Sequence, residues 1–350
     1  MSPRHACALT LSFLILPALA QTTAPTAVPP APDAVPAVTA AAAQSDAVEA
    51  PATVVVEGRR PGPGVWKVSK GDHVMWVFGL YSPLPQKMEW DASRVERLVG
   101  KSQEVLMPPG FSIGVGFFRG LTLLPTMVGL EKNPDGARLK DVLPADVYAR
   151  WQVQKGKYIG DDDGVERVRP FFAAEKLLDA GLKKNGLVYN IDVREQVEKL
   201  ARQGKVKVTG TMLEVELDDP RRILKEFKQM QMADLTCFTK TLERLDGDID
   251  AMRMRANAWA NGNIAEIARL DYAERDEACG NALWSSPLAS TTPALQNVPE
   301  RIRAKWLQTV GASLSHNAST FALLRMKEIV GPNNYLADLQ AKGYTVESPK

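Results

Sequence analysis

The sequence predicts an α/β or α+β fold, a single domain with a small mixed β-sheet surrounded by many helices. Three observations carry this. Two β-prone runs, 65–68 and 74–78, flank a Gly-Asp turn and read as a hairpin. Helical periodicity dominates most of the chain beyond the hairpin, and short β-prone runs are scattered among the helices as far as Val346. The composition supplies a core for such a fold: of 350 residues, 45% are hydrophobic and 24% charged, with 43 basic against 41 acidic side chains. That balance excludes wholesale disorder. It also argues against nucleic-acid binding, because no Lys/Arg run is dense enough to neutralise a stretch of phosphates.

Taken in order, the N-terminus opens with Arg4 and His5, runs apolar from Cys7 to Ala20 and ends in Ala18-Leu19-Ala20. This predicts a secretory signal over 1–20, cleaved before Gln21, and a periplasmic or secreted protein of a Gram-negative bacterium. Residues 21–61 follow as a disordered Ala/Pro-rich tether. Between Gln21 and Thr53, 12 residues are Ala and 6 are Pro, too little apolar surface to offset the entropy of ordering. Residues 62–350 are then the folded domain.

Within it, the hairpin places His73 at the mouth of its turn, where an exposed imidazole without function is expected. Further short strands are expected at 103–107, 205–208, 320–324 and 344–346. Leu235, Phe238, Leu242, Leu245, Ile249, Met252, Ala256 and Trp259 alternate spacings of three and four, which predicts one long amphipathic helix packed within its own domain. Other helices are expected around 92–99, 171–184, 219–230, 264–282, 299–315 and 332–342. Residues 110–130 carry five glycines, several large apolar side chains and the single charge Arg119. Buried helical hairpin or loop structure is expected there, with a membrane-touching flap as the alternative.

Once the leader is removed, Cys237 and Cys279 are the only thiols in a chain bound for an oxidising compartment. Two such cysteines are expected to pair, closing a loop of about 42 residues that stabilises by roughly 3–4 kcal/mol. The run Asp161-Asp162-Asp163-Gly164, with Glu166 beyond, lacks the ligand spacing of a calcium loop and reads as a solvated turn. Gly110-Phe111-Ser112-Ile113-Gly114 satisfies the G-x-S-x-G pattern of a hydrolase nucleophile elbow, and His316 lies downstream. Pro108-Pro109 and the short stretch of folded chain before them are the wrong context, and His316 reads as a helix C-terminal cap.

Three stretches carry a resemblance: the start Gly64-Val65-Trp66-Lys67-Val68, the hairpin close Phe78-Gly79-Leu80-Tyr81-Ser82-Pro83-Leu84-Pro85, and the tail from Leu336 to Val346. Together they resemble the TraB/GumN family, over the whole of 62–350. That family is related to TIKI-type metalloproteases and to erythromycin-esterase and ChaN-like proteins, and its members carry two G-x-x-H motifs and an early glutamate, which in the TIKI branch are implicated in metal-dependent peptide cleavage. The resemblance implies a divalent metal held by imidazole and carboxylate, activating a bound water. Here the first motif reads Gly79-Leu80-Tyr81-Ser82 and the second Arg325-Met326-Lys327-Glu328, so both histidines are replaced. The family glutamate corresponds to Glu104, and an Arg-Asn pair on the penultimate long helix is half kept, as Arg301 or Arg303. Ser82, Glu104 and Glu328 make a poor zinc site, and Lys327 and Arg325 compete with any cation there. The expectation is no metal and no cofactor, in a non-catalytic protein that binds a peptide, an envelope polymer or a protein partner through the family's cleft. The alternative is a metal-dependent hydrolase with a hard divalent cation on Glu104 and Glu328, which requires those carboxylates and Ser82 to converge on one pocket.

Overall fold

The computed structural model describes residues 62–114, 117–189, 192–230, 233–269, 273–331 and 334–349. The expected leader and tether lie outside them. The ten strands are β1 (Val65–Lys70), β2 (His73–Leu80), β3 (Leu84–Pro85), β4 (Glu104–Leu106), β5 (Gly110–Gly114), β6 (Leu187–Val188), β7 (Lys207–Thr209), β8 (Met212–Glu216), β9 (Ser319–Arg325) and β10 (Thr345–Glu347). Six of them form one mixed sheet in the order β10-β1-β2-β9-β4-β7.

The hairpin pairs Val65 with Phe78 and Lys70 with His73, leaving Gly71 and Asp72 as a two-residue turn. Gly71 supplies the positive φ, 61°, that such a turn needs. β10 adds antiparallel to β1, whereas β2, β9, β4 and β7 all run parallel. Parallel strands are covered on both faces, and β9 reads accordingly, with Thr320 to Leu324 all buried. Phe78, Val105, Leu106 and Phe321 are fully buried within the main core, and Trp306 packs into it from the helix Val298–His316. The Trp259 indole donates to the Gly79 carbonyl at 2.7 Å and so ties the helix Ile249–Ala260 to the C-terminal end of β2.

A second core is helical. Trp151 from Ala145–Tyr158, Leu177 and Leu178 from Pro170–Lys184, and Phe238 and Leu242 from Leu235–Gly247 close around one another. Glu166, 2% exposed, lies beneath them and accepts hydrogen bonds from Trp151 Nε1 and Gln152 Nε2, both at 2.9 Å. The aspartates preceding it are exposed, and Asp162 closes a local turn on the Gly164 amide. This run is a solvated turn, but its last carboxylate is turned inward.

Several expectations need correction. The long helix over 235–259 is two helices, Leu235–Gly247 and Ile249–Ala260, broken at Asp248. Gly247 weakens the helix there, yet the Met252 amide still bonds the Asp248 carbonyl, so the apolar alternation passes the break without interruption. Residues 110–130 begin with β5, which pairs parallel with β8 in a separate two-stranded sheet, and continue as the helix Phe117–Met127. Leu124 and Val128 are exposed, and among the described residues no helix is long and apolar enough to cross a membrane. The stretch 264–282 occupies the helices Ile264–Arg269 and Ala273–Trp284. His73 is half-buried rather than exposed, with Nδ1 2.8 Å from the Asn317 carbonyl.

Candidate functional site

In an open parallel sheet, ligands gather outside the carboxyl ends of the strands. Here the four parallel strands end at Leu80, Arg325, Leu106 and Thr209, and a cavity of about 770 Å³ opens beyond them. Its floor is built from the residues that leave those ends: Tyr81 and Ser82 after β2, Met107 and Pro108 after β4, Gly210 after β7, and the Arg325–Lys327 run after β9. Tyr189, Arg194, Arg244 and Asp276 complete it from the helical side.

The two G-x-x-H positions are therefore neighbours in space, since β2 and β9 pair with Leu80 opposite Arg325. Ser82 is exposed at the cavity. Glu328 is not available to it: Oε2 accepts from the Arg325 amide at 2.9 Å, Oε1 accepts from Arg325 Nε at 2.8 Å and also pairs with Nη2, and the residue is 6% exposed. Oε2 thereby caps the short helix Met326–Val330, and Oε1 holds the Arg325 guanidinium.

Glu104 does not join this site. It pairs with Thr320 and Lys207 at the opposite, amino end of the sheet, five residues along β9 from Arg325, or roughly 16 Å at the usual rise per residue. There, 5% exposed, it accepts from Asn317 Nδ2 at 2.8 Å, from Ser313 at 2.5 Å and from Thr209, and it meets Lys207 Nζ at 2.8 Å. Burial alone would raise its carboxyl, but hydrogen bonds from Lys207, Ser313 and Thr209 and the lysine charge lower it to about 2. The convergence of Ser82, Glu104 and Glu328 that the alternative metal-hydrolase reading requires thus fails on register. A three-residue strand has one residue at each end, and it is Met107, just past the carboxyl end of β4, that meets the cavity. Arg301 and Arg303 also lie elsewhere. Arg301 donates to the Ala294 carbonyl at 2.8 Å, while Arg303 pairs with Asp338 and lies over the Tyr335 ring.

The donor set at the cavity therefore does not fit a catalytic divalent metal, which wants two or more unengaged nitrogen or carboxylate ligands. Among the described residues, no three His, Cys, Asp or Glu side chains gather in a way that could hold one. What does gather is positive charge. Arg194, Arg244, Arg325 and Lys327 line the cavity against the single carboxylate of Asp276. Asp276 Oδ2 lies 3.1 Å from Lys327 Nζ, and Oδ1 lies 3.5 Å from both Arg244 Nη1 and Arg275 Nη1. Burial would raise Asp276, and the three cations outweigh it and hold the carboxyl below its ordinary value. Burial pushes the Tyr81 phenol up, opposed by the neighbouring Arg255 and Arg244.

Arg244 and Asp276 escaped the sequence reading although a signal was present. Cys237, Thr241 and Arg244 follow one another at spacings of four and three on the buried face of an amphipathic helix, where an arginine is out of place unless something holds it. The disulfide expected from the cysteine count is present between Cys237 and Cys279. It joins the helices Leu235–Gly247 and Ala273–Trp284, which carry Arg244 and Asp276, and so fixes the spacing of the cavity's charges.

The serine-hydrolase reading finds no support. Ser112 lies in the middle of β5, opposite Glu214, rather than at a turn, and His316 ends the helix Val298–His316 with Nδ1 against the Ala312 carbonyl. No curated protein and no solved structure matches the chain significantly. The family model described as TraB/PrgY/gumN matches residues 64–348, and with both motif positions brought to one cleft at the carboxyl ends of the sheet, the chain belongs to that family.

Proposed function

We propose that this is an exported family member whose cleft binds without cutting, a non-catalytic binding protein of the bacterial envelope held off its surroundings by the 21–61 tether. The observation that carries the reading is the state of the two motif positions. One is an exposed serine hydroxyl, and the other is a glutamate whose two oxygens are both engaged by Arg325. A neutral serine hydroxyl is a weak metal ligand, Glu328 cannot bind a metal without breaking the helix cap at Met326–Val330, and Lys327 and Arg325 would repel the ion that did so.

The test is elemental analysis of protein purified without chelator, combined with peptidase assays in the presence of Zn²⁺, Mn²⁺ and Mg²⁺. Substoichiometric metal and turnover no greater than that of Ser82→Ala are expected. Equimolar metal with metal-dependent cleavage, lost in Glu328→Ala, would sink the proposal.

A further inference from the structure

Arg244 is 9% exposed and lines the cavity, and among the described residues its guanidinium donates no hydrogen bond. Among the described residues its one ion-pair partner is Asp276, 3.5 Å away, and its Nε is buried without a partner. A guanidinium carries five donors, and buried ones are nearly always satisfied, so this one is built to meet an acceptor from outside. The surroundings point the same way. Asp276 is shared among Arg244, Arg275 and Lys327, and although Arg275 also pairs with Glu175, Asp276 cannot neutralise both Arg244 and Lys327; the exposed Arg194 adds charge at the rim, while Arg325 is paired with Glu328. Apart from the hydroxyls of Tyr81, Ser82 and Tyr189, the rest of the wall is largely apolar, through Leu80, Met107, Pro108, Pro109, Phe111 and Met212.

Resting on the non-catalytic reading above, we infer that the cleft takes the C-terminal end of a peptide, its terminal carboxylate held by Arg244 with Lys327 and its apolar last residues laid along Met107, Pro109 and Phe111. A planar carboxylate matches the guanidinium fork. An acidic sugar offers the same carboxylate but presents hydroxyls on every side to a wall with few groups to receive them. A doubly charged phosphate gains less than its charge implies, because Asp276 stands inside the same cluster.

The experiment is calorimetric titration of the disulfide-intact protein with N-acetyl-Ala-Leu-Phe as the free acid, with the same peptide as its C-terminal amide, with phenyl phosphate and with trigalacturonate. The free acid is expected to bind about tenfold or more tighter than the amide, as a charge-assisted pair requires, and tighter than either other anion. Arg244→Met should abolish the difference between acid and amide. Gly210→Asp provides a variant that keeps the fold, because a Cβ at this exposed cavity position meets nothing within 4 Å; it should weaken the acid several-fold and leave the amide unchanged. Equal affinity for acid and amide, no binding of either at millimolar peptide, or a preference for phenyl phosphate or trigalacturonate would overturn the inference while leaving the non-catalytic reading intact. Metal-dependent cleavage of the peptide would instead overturn that reading, whichever terminus binds better.

Discussion

Replacing Glu104 by glutamine separates a structural carboxylate from a catalytic one. The native side chain is ionised and surrounded by donors, namely Lys207, Asn317, Ser313 and Thr209. Its pKa falls from 4.5 to about 2 on folding, so between those values the unfolded chain binds more protons and stability rises with pH. About 2.5 pH units corresponds to roughly 3 kcal/mol, fully present above pH 4.5 and lost as the pH falls toward 2. The Lys207 side chain is 72% exposed and its share is screened, which leaves roughly 2–3 kcal/mol. Glu104→Gln removes the charge and turns an amide NH₂ toward other donors. Urea denaturation followed by tryptophan fluorescence at pH 7 should therefore show it less stable by that amount, with the gap to the native protein closing as the pH is lowered through 4.5 to 2. Equal stability at pH 7, or a gap that does not shrink in acid, would refute the reasoning. A glutamate kept for metal chemistry would behave oppositely, since its removal relieves an electrostatic cost and tends to leave stability unchanged or raised.

Other substitutions test the scaffold around the cleft. Cys279→Ser, or reduction of the native protein, should cost about 3–4 kcal/mol in a denaturant titration, the chain-entropy value for a loop of 42 residues. An unchanged midpoint would mean that the bridge does not constrain the unfolded chain. Glu166→Ala strips the acceptor from Trp151 Nε1 and the counter-charge from the nearly buried Lys155, 3.7 Å away, and should lower stability by about 3–5 kcal/mol in the same assay. Gly262→Ala places a Cβ 2.8 Å from the Gly62 carbonyl at a φ of 70°, so a loss of about 1–3 kcal/mol is expected from thermal unfolding.

What the sequence made legible was whatever depended on local pattern. The hairpin followed from two apolar runs and a Gly-Asp turn, β9 from five consecutive residues of a doubly buried strand, and the disulfide from counting the thiols left once a secretory leader is expected. What depended on register was hidden. β5 and β8 find each other across nearly a hundred residues, and the Gly-Phe-Ser-Ile-Gly run that forms β5 has no alternation to announce it. Glu104 and Met107 lie three residues apart in sequence, yet the parallel pairing of β4 with β9 sends one to each end of the sheet. The break at Asp248 was hidden for a different reason, because the helical hydrogen bonding resumes at once and the buried face carries straight on through Met252 and Ala256.

The two ends of the sheet use charge in opposite ways, and this bears on what the cleft can do. At the amino end the lone carboxylate of Glu104 is matched by Lys207 and three uncharged donors, so the network closes on itself. At the carboxyl end the matching is incomplete in its count of charges: Glu328 consumes Arg325 and Asp276 is divided among three cations, which leaves Arg244 desolvated with no hydrogen-bond acceptor among the described residues. A desolvated guanidinium is costly, and here a disulfide and the packing of two helices hold it in place against that cost. The arrangement that would repel a catalytic cation is thereby the same one that favours an anionic ligand. Loss of the motif histidines and gain of an anion site are on this view a single change in the sign of the cleft, and lowering its positive charge with Gly210→Asp is the direct way to see it.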